Sequence, residues 1–148
     1  MSQAVLNLPD FSHININSVS ADLQTLIDDA RKTIAELEQL ETPSWENFAL
    51  PMQQADSAIE DFFAPISHLN GVQNSDALRD VYQSCIESLT VFSSECGQNT
   101  KLYQQYKTLA QSAEAKNYSN AQTAWLNHAI KGFELSGVAL SDDKKQRF

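Results

Sequence analysis

Positive charge is scarce in this sequence. Ten Lys and Arg stand against 19 Asp and Glu, for a formal net charge of −9. Nucleic acid and anionic lipid are both held by clustered Lys and Arg, so the composition argues against either as a partner. Long apolar runs are also missing, and none approaches the ~18 residues of a membrane span. Met1 to Asp10 has neither the basic start nor the apolar stretch of a secretory signal. Glycine and proline number four each, too few for a flexible linker or a low-complexity tail. The two cysteines, Cys85 and Cys96, lie eleven residues apart. On one helix their Cα atoms would be about 16 Å apart, far beyond the ~7 Å a disulfide can bridge. Reduced thiols are therefore expected, in keeping with a reducing compartment. An apolar setting raises a thiol's pKa and makes a reactive role the lesser reading.

Catalytic signatures are missing as well. The histidines are His13, His68 and His128, and none belongs to an H-E-x-x-H pair. There is no C-x-x-C site, no G-x-x-x-x-G-K-[ST] loop and no G-x-G-x-x-G. Asp28-Asp29 and Asp142-Asp143 are sequence neighbours that diverge on a helix, so they read as solvated surface. His68 reads as a helix-end or turn residue, with a ligand or base as the alternative. Trp45 and Trp125 read as core anchors, with ligand platforms as the alternative.

What is present is a chain of 148 residues, 42% of them hydrophobic. One domain of that size buries roughly 70% of its unfolded surface. Residues 1–17 read as an irregular lead-in. Ser20 can cap a helix whose stripe is Leu23, Ile27, Ala30, Ile34 and Leu37, ended by Pro43. Ser44 can cap a second segment opening at Trp45, Glu46 and Asn47. Its stripe runs through Phe48, Met52, Ala55, Ile59, Phe62, Ile66 and Leu69, with a restart at Pro51. Pro65 inside this stripe predicts a kink or a broken end, and Asn70-Gly71 predicts a turn. Ser75 can cap a third helix with Leu78, Tyr82, Cys85, Leu89, Phe92 and Cys96 on its face and Gly97 as its C′ residue. A short fourth helix carries Leu102, Tyr106, Leu109 and Ala113. Ser119 and Gln122 match a capping box for a fifth. That helix carries Ala121, Trp125, Ala129 and Phe133, with Leu126 and Ile130 beside them, and Gly137 closes it.

No segment alternates with period two, so the fold class is all-α: an antiparallel bundle or array of about five helices over residues 18–140. Ser141, Asp142 and Asp143 then open another helix, and the sequence stops at Phe148. Two turns of helix are marginal alone, so residues 141–148 read as the start of a truncated helix in a piece of a longer protein. Apolar surface bared by such a cut would leave this segment frayed or packed on another copy, so self-association is expected.

Phe63 through Ser75 (F-A-P-I-S-H-L-N-G-V-Q-N-S), followed by Leu78-Arg79, resembles a signature of the oligopeptidase A / thimet oligopeptidase family of zinc peptidases. Trp45-Glu46-Asn47 is similar to an earlier family motif, and Phe133-Glu134-Leu135-Ser136-Gly137-Val138-Ala139-Leu140 to a later one. The order and spacing agree from about Leu8 to Phe148, with the bacterial oligopeptidase A branch in particular. The matching positions include Trp45, Glu46, Asn47, Pro65, Ser67, His68, Asn70, Asn74, Arg79, Phe133, Glu134, Ser136 and Gly137, for which structural roles are expected.

The resemblance implies the N-terminal lobe of a larger helical enzyme. In the family two lobes flank a narrow channel that admits short peptides. The zinc site lies in the C-terminal half, on an H-E-x-x-H helix and a further glutamate. No catalytic, cofactor or metal residue of that set has a counterpart in this chain. The implied parent is a cytoplasmic zinc metallo-oligopeptidase, whose peptide substrate and catalytic lobe are the partners. The chain alone is expected to be inactive, with its contribution being a wall of the channel. The alternatives are a stand-alone helical module binding peptide or protein, and a stand-alone enzyme built on His68 and nearby carboxylates.

Overall fold

A computed structural model of the chain describes residues 14–73 and 75–138. Among these residues there are five α-helices and no strand. They are α1 (Val19–Leu37), α2 (Leu50–Val72), α3 (Asp76–Gly97), α4 (Thr100–Ala110) and α5 (Asn120–Leu135). A π-helical turn, Trp45–Ala49, leads into α2, and a 3-10 turn, Glu114–Asn117, precedes α5. The all-α fold expected from the stripes is the fold found.

The stripe of α1 is buried at every expected position, Leu23, Ile27, Ala30, Ile34 and Leu37. Each full burial of a Leu or Ile stabilises by about 1.5–3 kcal/mol. Helix α1 packs most extensively on α2 and next on α3. Phe63 stacks on Tyr82 near the α2–α3 turn, whereas Asp56 and Cys96 share a cavity wall at the other end, so α2 and α3 run antiparallel. Arg31 meets Glu95. Ser20 lies beside the Cys85 thiol, so α1 and α3 run the same way. Helices α4 and α5 form a second antiparallel pair that α1 joins to the first. Phe48 bridges the two groups: it is fully buried, and its ring stands edge-on to Tyr106 at 4.8 Å.

Several caps are as expected. Ser44 Oγ accepts from the Asn47 N–H, and Asn47 Oδ1 accepts from the Ser44 N–H at 2.7 Å. Ser119 and Gln122 make the same reciprocal pair, and Ser75 caps α3 through the Leu78 N–H. Caps of this kind stabilise by about 1 kcal/mol. Gly137 follows α5 with φ 78°, the left-handed C′ geometry.

Other expectations are corrected. Helix α1 starts at Val19, not after Ser20, because a turn in which Asn15 O accepts from the Ser18 and Val19 N–H groups winds straight into it. Helix α2 runs unbroken through Pro65. Proline removes one bond to the carbonyl of Asp61, an exposed residue that water can reach, while Ile59 and Ile66 hold both sides of the site in the core. Asn70 and Gly71 are helical too, and the turn comes after Val72. Gly97 is the last residue of α3 with an ordinary φ, not a left-handed C′ residue. In α5, Ala121 is exposed, and Leu126 joins Phe133 in the core. Residues 1–13, Asn74 and the helix expected at Ser141 lie outside the described residues.

Candidate functional site

The motif residues fall into two groups at different places. Trp45 and Phe133 belong to one aromatic cluster. Trp45 stands edge-on to Tyr118 at 5.3 Å and to Trp125 at 5.4 Å. Trp125 and Phe133 both contact Tyr106. Residues distant in sequence thus meet at the joint between the two helix groups. The Trp45 N–H donates to the Glu114 carboxylate, and Asn47 Nδ2 donates to Thr42 O, which locks the π-turn in place. Glu46 is exposed. Glu134 accepts from the Tyr103 hydroxyl. Ser136 Oγ donates to Gly132 O and lies against Gly97, where a Cβ would come within 2.7 Å of it.

The second group sits at the α2–α3 end. Ser67 and His68 are exposed, Pro65 is half-buried, and Arg79 pairs with Asp76 on its own helix. Asn70 Oδ1 is buried without a hydrogen-bond partner among the described residues. Val72, beside it, is 68% exposed.

Among the described residues, Asp56, Cys96 and Tyr106, from three different helices, lie close enough for their charges to act on one another. Asp56 keeps part of its side chain in solvent, yet it lines a cavity of about 290 Å³ with Ile59, Leu89 and Phe92. Desolvation, then the Glu60 charge, raises its carboxyl to about 6. Burial, then Asp56, raises the Cys96 thiol to about 11. Burial likewise pushes the Tyr106 phenol far above its ordinary value. The Cys96 thiol and the Tyr106 phenol are held neutral, the opposite of an activated nucleophile, whereas the Asp56 carboxyl ionises above about pH 6. Cys85 and Cys96 are both free thiols.

The donor set does not fit zinc. Among the described residues there is no group of three or more His, Cys, Asp or Glu able to hold a metal ion. No described helix is long and apolar enough to cross a membrane.

Sequence reasoning missed the partners that cross the fold. Glu95 holds Arg31, Glu114 accepts from Trp45, and Gln105 Nε2 donates to the carbonyls of Glu38 and Leu40 beyond the end of α1. All join residues more than sixty apart, and no local pattern signals them.

Residues 23–145 match the neurolysin/thimet oligopeptidase N-terminal domain. The chain belongs to this family. Over 151 aligned residues it is 39% identical to Oligopeptidase A of Haemophilus influenzae, covering 100% of this chain and 22% of that protein. It is 34% identical to Oligopeptidase A of Salmonella typhimurium, over 96% of this chain and 21% of that one. With Oligopeptidase A of Escherichia coli the identity is 32%, over 95% and 21%. The domain thus spans about a fifth of the length of these relatives.

Proposed function

We propose that this domain is the N-terminal wall of the substrate channel of a cytoplasmic zinc-dependent oligopeptidase. Its substrates are short peptides. The observation that carries the reading is the family match over residues 23–145, joined to relatives named Oligopeptidase A that are about five times longer. The zinc and the water it activates belong to another part of the polypeptide. The described residues then act sterically, limiting substrate size and helping to keep water from the reacting bond. Exposed apolar side chains such as Val72, Leu135 and Val91 offer contact surface for the remaining lobe.

The purified chain, incubated with a mixed peptide pool and zinc, should cleave nothing. Zinc or a chelator should leave its melting temperature unchanged, because no ligand set binds the folded state preferentially. Chelator-sensitive hydrolysis by the chain alone would overturn the reading. The coding sequence beyond Phe148 supplies the other arm. An H-E-x-x-H motif downstream supports the peptidase, and an immediate stop codon favours a stand-alone peptide- or protein-binding module.

A further inference from the structure

The cavity of about 290 Å³ between α2 and α3 combines apolar walls with unpaired carboxylates. Ile59, Leu89 and Phe92 line it, and Asp56 and Glu60 stand beside them on α2. One turn apart on a helix, Asp56 and Glu60 present their carboxylates to the same side. Neither makes an ion pair or a hydrogen bond among the described residues. Helix α2 has no Lys or Arg, and the one Arg of α3, Arg79, pairs with Asp76. Desolvation and Glu60 both raise the Asp56 carboxyl, with no cation to lower it.

The neighbouring cavity, between α1 and α3, shows what such a place holds. Phe92 and Cys96 line both. On the α1 side the Arg31 guanidinium lies over the Phe92 ring, 5.8 Å from its centroid, and is held by Glu95 and Asp28. One aromatic ring and two carboxylates thus hold one guanidinium, through its flat face and its fork of N–H donors. On the α2 side Phe92 is again accompanied by two carboxylates, Asp56 and Glu60, and no Lys or Arg lines that cavity.

We propose that the α2–α3 cavity takes the arginine side chain of a short peptide, with its aliphatic stem against Leu89 and Phe92 and its guanidinium at Asp56 and Glu60. Arginine suits the place because its stem lies along apolar surface while its head stays with charge and water. A neutral side chain leaves the two carboxylates repelling each other, and an acidic one adds to that repulsion. That a peptide brings the arginine rests on the channel-wall reading. The preference for arginine rests on the cavity alone.

The test is an NMR titration of the isotope-labelled chain with acetyl-Ala-Ala-Arg-Ala-Ala-amide, whose only charge is the guanidinium. Amide shifts should centre on Asp56, Glu60, Ser93 and Cys96. The midpoint should come at a concentration at least about fivefold lower than for the same peptide with citrulline, which keeps the shape and lacks the charge. The double variant Asp56→Asn, Glu60→Gln should erase that preference. Asp22 and Asp80 are exposed and do not line the cavity. Asp22→Asn with Asp80→Asn removes as much charge and should keep the preference within about twofold. Equal midpoints for the two peptides overturn the proposal. So does an equal loss in both double variants, which would mean attraction to net charge alone. The peptidase reading fails separately. Cavity binding in a chain with no H-E-x-x-H downstream supports the cavity and sinks the peptidase, whereas no binding beside such a motif sinks the cavity alone.

Discussion

Trp45 stands edge-on to Trp125, with ring centroids 5.4 Å apart and planes at 73°. The pair joins the turn before α2 to the middle of α5, so it clamps the two helix groups together. Its rings touch Tyr118 on one side and Tyr106 on the other.

Removing either indole should therefore loosen that joint. Both tryptophans are half-buried, so each Ala variant should lose about 2–3 kcal/mol, below the full 3–5 of a core aromatic. A double-mutant cycle by urea unfolding should return a coupling of about 1 kcal/mol. Strict additivity would mean that the edge contact contributes nothing.

Two glycines should respond in opposite directions. An added Cβ at Gly97 would lie 2.7 Å from Ser136 Oγ and 3.0 Å from Ser136 Cβ. Ser136, the residue just after α5, must give way, so Gly97→Ala should destabilise by about 1 kcal/mol despite alanine's better helix propensity. At Gly132, inside α5, a Cβ meets nothing within 4 Å. Gly132→Ala should stabilise by about 0.5–1 kcal/mol. Urea midpoints of the two variants check both signs.

Arg31 binds Glu95 through Nε at 2.9 Å and Nη2 at 3.1 Å, and binds Asp28 through Nη1 at 2.8 Å. All three groups are more than a third exposed. Solvent screens them, so Arg31→Ala should cost no more than about 1 kcal/mol. Part of that loss is the guanidinium packed over the Phe92 ring. The ionic share should shrink in about 1 M salt and the packing share should persist.

The Asp56 carboxyl, raised from 3.8 to about 6, makes stability depend on pH. Facing it are Glu60 on α2, Cys96 on α3 and Tyr106 on α4, none of them a cation. The folded chain binds this proton more tightly than the unfolded chain, so stability falls as pH rises from about 4 to 6. Above that interval the ionised carboxylate is a standing cost. Asp56→Asn should raise the melting temperature near pH 7.5, and the gain should shrink toward pH 4. An equal gain at both pH values would mean that ionisation is not its source.

Helix positions and most buried faces were legible in the sequence because they depend on local spacing. Leu23 to Leu37, and Phe48 to Ile66, recur every three or four residues, and only a helix puts such residues on one side. The caps at Ser44, Ser75 and Ser119 were equally local. Two local rules were outvoted by packing. Ile59 and Ile66, anchored in the core, carry α2 across Pro65, and Asn70-Gly71 stays helical because α2 extends to Val72. The family motifs were legible as words, but their meaning was not. That Trp45 and Phe133 share one aromatic cluster while His68 and Asn70 sit elsewhere is a matter of distance through space. So are the bond of Arg31 to Glu95 and the meeting of Asp56, Cys96 and Tyr106. Local sequence determined which residues turn inward. Only the packing of the helices decided which of them meet, because contacts between distant residues depend on how whole helices are placed.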